Sequence, residues 1–142
     1  MNRKTIGSIG WVIASLATIT LLAAAVVQRP VAAAQTRQTE QVMRQKLTES
    51  QQLLAALVTS NWAALDRHAR AIQALTKQPG WDVMREPMFL THTVAFQKAV
   101  QGLLDAAAKR DQRTALTAYT GVVSSCVECH SYVARARIAG AN

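Results

Sequence analysis

The sequence predicts an all-α protein, an antiparallel four-helix bundle with a thiol–thiol–imidazole motif in its last helix. Three observations carry this. Half of the 142 residues are hydrophobic, largely alanine and leucine, with aromatics at 5%, 6 Gly and 3 Pro, a mix that favours helix over sheet. Beyond residue 36 the apolar residues recur at spacings of three, four and seven, the period of an amphipathic helix. The only two cysteines stand together in Cys126-Val127-Glu128-Cys129-His130.

The first 34 residues differ from the rest. Arg3 and Lys4 precede an uncharged apolar run from Ile6 to Val27, and Ala32-Ala33-Ala34 follows Gln28-Arg29-Pro30. This is the layout of an export signal, with cutting expected after Ala34. The apolar run approaches the length that spans a bilayer, so an uncleaved membrane anchor is the alternative. Residues 35–142 then form one folded domain, outside the cytoplasmic membrane in either case.

The first helix runs from Thr36 or Thr39, with Val42, Met43, Leu47, Leu53, Leu54, Leu57 and Val58 as its apolar positions. Ser60-Asn61 ends it, and Asn61 suits an N-cap. Trp62, Leu65, Ala69, Ile72 and Leu75 mark a second helix that Gln78-Pro79-Gly80 stops. A third follows Pro87, with Phe89, Val94, Phe96, Val100, Leu103 and Leu104 inward. Lys109-Arg110 complements its C-terminal dipole. Asp111 caps a fourth helix, whose expected inner face is Leu116, Tyr119, Val123, Cys126, His130 and Val133, ending near Arg137.

C-x-x-C-H is the spacing of a c-type haem-attachment motif. On a helix the offsets of three and four place Cys126, Cys129 and His130 on one face. Two thiols there can form thioethers to one haem c, and the imidazole can reach the iron as proximal ligand. The competing readings are a thioredoxin-like redox pair, half of a zinc site and a disulfide. A redox pair belongs after a strand in a βαβ pattern, and no strand pattern precedes this one. A structural zinc site needs four ligands, and a bridge across so short a loop would stabilise little. His68 and His92 lack cysteine or acid partners at ligand spacing and read as surface or hydrogen-bonded side chains. Met84 and Met88 read as packing filler. Trp62, Trp81, Phe89 and Phe96 read as core and pocket lining.

The formal net charge is +8. Arg3, Lys4 and Arg29 fall in the leader, so the domain keeps 13 basic against 8 acidic side chains. The basic residues are scattered, with neither a cluster nor an aromatic platform, which argues against nucleic acid as partner. No nucleophile–base pair or carboxylate pair points to an enzyme.

The stretch from Tyr119 to Tyr132, with Tyr seven residues before the first cysteine and an aromatic after the histidine, resembles the final helix of the cytochrome c-prime family, which includes the cytochromes c-556. Met43-Arg44-Gln45-Lys46-Leu47 resembles that family's first helix. Family members commonly carry an arginine four residues after the histidine, where this chain has Ala134, with Arg135 beside it. The resemblance implies a periplasmic electron carrier with one haem c per chain and a redox partner protein. It also implies that a first-helix residue faces the iron. Methionine there gives a six-coordinate carrier, whereas leucine leaves an open iron that binds nitric oxide or carbon monoxide. Counting back from Ser60 places Leu47 in this distal pocket. Met43, one turn away or about 5.4 Å along the axis, is the candidate sixth ligand. Lys46 is set aside as a ligand because it would have to be buried and deprotonated. Many members pair as homodimers through their first two helices. Membrane association would follow only if the leader stays attached.

Overall fold

The computed structural model describes residues 33–82, 84 and 86–139, apart from the side chain of Arg137. The segment expected to direct export, except for its last two residues, and Gly140 lie outside the described residues. The compact unit discussed below begins at Gln38.

The described residues fold as helices and the turns between them, with no strand among them. Four helices follow one another: α1 over 33–58, α2 over Trp62–Leu75, α3 over Pro87–Lys109 and α4 over Gln112–Ala139. Their pairing is consistent with a helical bundle. Gln112 Nε2 donates to the Leu57 carbonyl at 2.8 Å and Tyr119 Oη to the Ser50 carbonyl at 3.4 Å. Numbers rise on α4 as they fall on α1, so the two run antiparallel. Gln97 Nε2 donates to Thr76 Oγ1 and Gln73 Nε2 to Gln101 Oε1, which makes α2 and α3 antiparallel as well. Gly102 and Gly121 let α3 and α4 close up: a Cβ on either would meet Ala118 or Ala99 at 3.2–3.3 Å.

The connections show why the helices stop where they do. Asn61 Oδ1 accepts from Ala64 N at 3.0 Å, and Asp111 Oδ1 accepts from Thr114 N at 3.1 Å. Each side chain satisfies an amide that the first turn leaves without a partner. Just before these caps, Ser60 and Arg110 take left-handed φ values of 52° and 53°. Asn61 N then reaches back to Ala56 O and Asp111 N to Ala106 O, the six-to-one bond of a Schellman ending. Pro87 stands at the first turn of α3, where its missing N–H costs no hydrogen bond. Gly80 is required by space. A Cβ there would lie 2.6 Å from the Gln38 backbone, so α1 can cross the 76–81 turn only over a glycine.

The core is a single cluster of Leu53, Leu57, Leu65, Ile72, Phe96, Val100, Leu103, Val122 and their neighbours. Two of the expected apolar faces are rotated. On α1 the buried seam is Val42, Lys46, Leu53 and Leu57, whereas Leu47, Leu54 and Val58 are exposed. On α4 the buried positions are Ala115, Val122 and Ser125, with Tyr119 and Cys126 packed against them, and Leu116 and Val123 face outward. Val94 of α3 is likewise exposed. Both helices carry two apolar stripes roughly one residue, or about 100°, apart. Periodicity alone does not choose between such stripes. Among the described residues, no helix is long and apolar enough to cross a membrane.

Candidate functional site

α4 runs unbroken for 28 residues through the motif. Cys126 and Cys129 therefore stand one helical turn apart, with His130 beside them. Both thiols are free and half-buried, and His130 is exposed. Cys126 packs against the core, as do Met43 and Tyr119. The helix is held on both sides of the motif. Tyr119 reaches α1 through its bond to Ser50. Tyr132 Oη donates to Glu86 Oε2 at 2.6 Å, and its ring lies 5.4 Å from that of His92. The two tyrosines that bracket the motif thus tie it to α1 and to the start of α3.

Facing the thiols is a side chain that periodicity places in solvent. Lys46 of α1 is only 6% exposed. Its Nζ lies 4.0 Å from the Phe96 ring centroid and 4.6 Å from that of Trp81. Those rings are tilted against each other with centroids 5.3 Å apart, and Trp81 Nε1 donates to Thr93 Oγ1 at 3.3 Å. The ammonium thus sits in an aromatic corner, where ring faces attract a cation. Among the described residues no carboxylate pairs with it. The ion pairs among the described residues lie elsewhere, at Glu40–Arg44, Glu49–His68 and Asp66–Arg70.

The electrostatics follow from this burial. Desolvation holds the Lys46 ammonium below the ordinary lysine value, and the neighbouring Cys126 and Cys129 thiols oppose it. Burial pushes the Cys129 thiol up, while Lys46 draws it down. Burial also raises the Tyr119 phenol, and Cys126 adds to that. The two cysteines, Lys46 and Tyr119 therefore form one coupled group between α1 and α4.

The remaining expected residues are placed as follows. Met43 is partly buried and touches the core. Leu47 is 61% exposed on the outer side of α1, so the structure does not bring it to the thiol face. Its neighbour Lys46 takes the inward position, because the α1 seam is the one containing Val42, Leu53 and Leu57. The objection that Lys46 would have to be buried is removed by that same rotation. His68 lies 2.7 Å from Glu49 through Nδ1. Met88 is 50% exposed.

The donor chemistry at this face fits a covalently tethered haem. Two unpaired thiols stand one turn apart on one helix with an imidazole in the next position, and the ring-held Lys46 acts on both of them. Among the described residues no group of three or more His, Cys, Asp or Glu side chains converges on a point that could hold a metal ion. Thiol tethering does not require such a convergence. Compared with family models, with curated proteins and with solved structures, the chain matches nothing.

Proposed function

We propose that the chain is an exported c-type cytochrome that carries one haem c and passes single electrons to and from a redox partner protein in the periplasm. Cys126 and Cys129 would hold the haem by thioethers, and His130 would supply the proximal nitrogen. The haem, when bound, supplies the one-electron couple. The protein's own residues position and shield it. Tyr119 and Tyr132 fix the motif helix at both ends, and Trp81 and Phe96 close the apolar side. The observation that carries this reading is the pair of free thiols one turn apart, with His130 beside them, on an unbroken helix. The likeness of Tyr119–Tyr132 to the final helix of the cytochrome c-prime family supports it. The family's alternative, gas binding at an open iron under an apolar residue, loses its nominated residue because Leu47 points outward.

The test is the intact mass and the reduced pyridine haemochrome spectrum of the exported protein, from cells able to attach c-type haem. We expect one covalent haem in the wild type and its loss in a Cys126→Ala/Cys129→Ala double variant. A wild-type protein of polypeptide mass without haem absorbance overturns the reading.

A further inference from the structure

Resting on the haem reading above, the structure assigns Lys46 as the α1 group that ligates the iron opposite His130, in place of Met43 or Leu47. Four observations carry this. Lys46 is the polar side chain that α1 buries deepest: it is 94% shielded, whereas Leu47 is 61% exposed and Met43 lies at the margin of the core. Its amine lies near enough to Cys126 and Cys129 of α4 for the charges of those thiols to act on it. The Phe96 and Trp81 rings hold it there at 4.0 and 4.6 Å. No carboxylate among the described residues accounts for burying it.

Direction matters too. Side chains on a helix lean toward its N-terminus. Because α1 and α4 are antiparallel, Lys46 and His130 lean toward each other along the bundle. A lysine amine and an imidazole both present a nitrogen lone pair, so the pair can bind one iron from opposite sides. On ligation the ammonium gives one proton to solvent and keeps the lone pair for the metal. A buried cation with only ring faces for company is thereby exchanged for a ligated, neutral amine. An unpartnered charge in the interior is otherwise a liability that folded proteins avoid.

The experiment compares the haem-bearing full chain with Lys46→Leu, Lys46→Met and Met43→Ala, by absorption in the visible and near infrared, by electron paramagnetic resonance and by carbon monoxide addition to the reduced form. The wild type is expected to be six-coordinate and low-spin, without the near-infrared band of a sulfur–iron bond. Lys46→Leu should turn high-spin and bind carbon monoxide. Lys46→Met should return to low-spin and gain the sulfur band, since a thioether then stands where the amine stood. Met43→Ala should keep the wild-type spectrum. A high-spin wild type, a low-spin state that survives Lys46→Leu, or a low-spin state lost in Met43→Ala overturns the assignment. If Lys46→Leu fails to accumulate, Lys46→Met decides alone by the presence or absence of the sulfur band. The intact mass separates the two layers. A chain without covalent haem sinks the cytochrome reading and the ligand with it, whereas a haem-bearing chain indifferent to residue 46 sinks only the ligand.

Discussion

The two ends of the helix array are built on opposite terms. At the end where α1 turns into α2 and α3 into α4, the helix ends are closed by side-chain caps and turn hydrogen bonds. Asn61 and Asp111 cap their helices, Ser60 and Arg110 close the preceding ones, and Gln112 spans from α4 to the Leu57 carbonyl. Leu53 and Leu65 lie fully buried nearby. The other end holds a buried cation, two free thiols and an indole, with no ionic partner among the described residues. The first end is arranged for stability alone. At the second, local stability gives way to reactive groups held in one place, which is the usual mark of a functional site.

The comparison can be broken most severely at the stable end. Leu65→Ala removes a fully buried side chain from the closed core and should cost about 2–5 kcal/mol, read from denaturant midpoints of the haem-free chain. A loss below about 1 kcal/mol would mean that this end is not the packed one.

At the thiol end the sign should reverse. Lys46→Met replaces a buried ammonium by an apolar side chain of similar size, which should stabilise the haem-free chain by about 1–4 kcal/mol at neutral pH. The gain should depend on pH. Burial weakens proton binding by Lys46 in the folded chain, so its folded value lies below the ordinary 10.5. Between those two values the unfolded chain binds the extra proton, and wild-type stability rises with pH. Below the window the penalty is complete; near its upper limit the variant's advantage shrinks. Cys129 and Tyr119 are displaced upward by burial, so stability from them falls as pH rises through their shifted values. The Tyr119 contribution is present in both chains and drops out of the difference, whereas Cys129, which Lys46 draws down, moves further upward in the variant. A gain independent of pH would remove Lys46 as its source.

The smallest effect belongs to the turns. Arg110 adopts a left-handed φ of 53°, a conformation that disfavours any residue with a Cβ. Arg110→Gly should therefore stabilise by about 1 kcal/mol, detectable as a small rise in melting temperature. A loss instead would show that the arginine side chain contributes more than its backbone strain removes.

Much of this architecture was legible in the chain. The break at Ser60-Asn61, the stop at Gln78-Pro79-Gly80 and the cap at Asp111 are all local chemistry, and each appears where side-chain hydrogen bonding or ring geometry demands it. The four helices follow from those punctuation marks. The thiol pair was legible for the same reason, being adjacent residues with a fixed spacing. What periodicity left undecided was rotation. On α1 the stripes Leu47-Leu54-Val58 and Val42-Leu53-Leu57 are equally apolar, and the second contains a lysine, which reads as outward. Only the neighbours from α3 and the 76–81 turn, Phe96 and Trp81, make that lysine's interior place acceptable. Those residues lie 35 to 50 positions away in the chain. Leu47 was nominated by counting along a helix, and counting fixes height without fixing azimuth.

Trp81 has a consequence of an optical kind. Its indole is stacked at a tilt on Phe96 and lies under the Lys46 amine, the side chain whose charge acts on both thiols. An indole so placed is a donor of excitation energy to any strongly absorbing pigment tethered a few ångströms away. If the proposed haem is attached at Cys126 and Cys129, the emission of Trp81 should be dimmer than in the chain whose thiols are free.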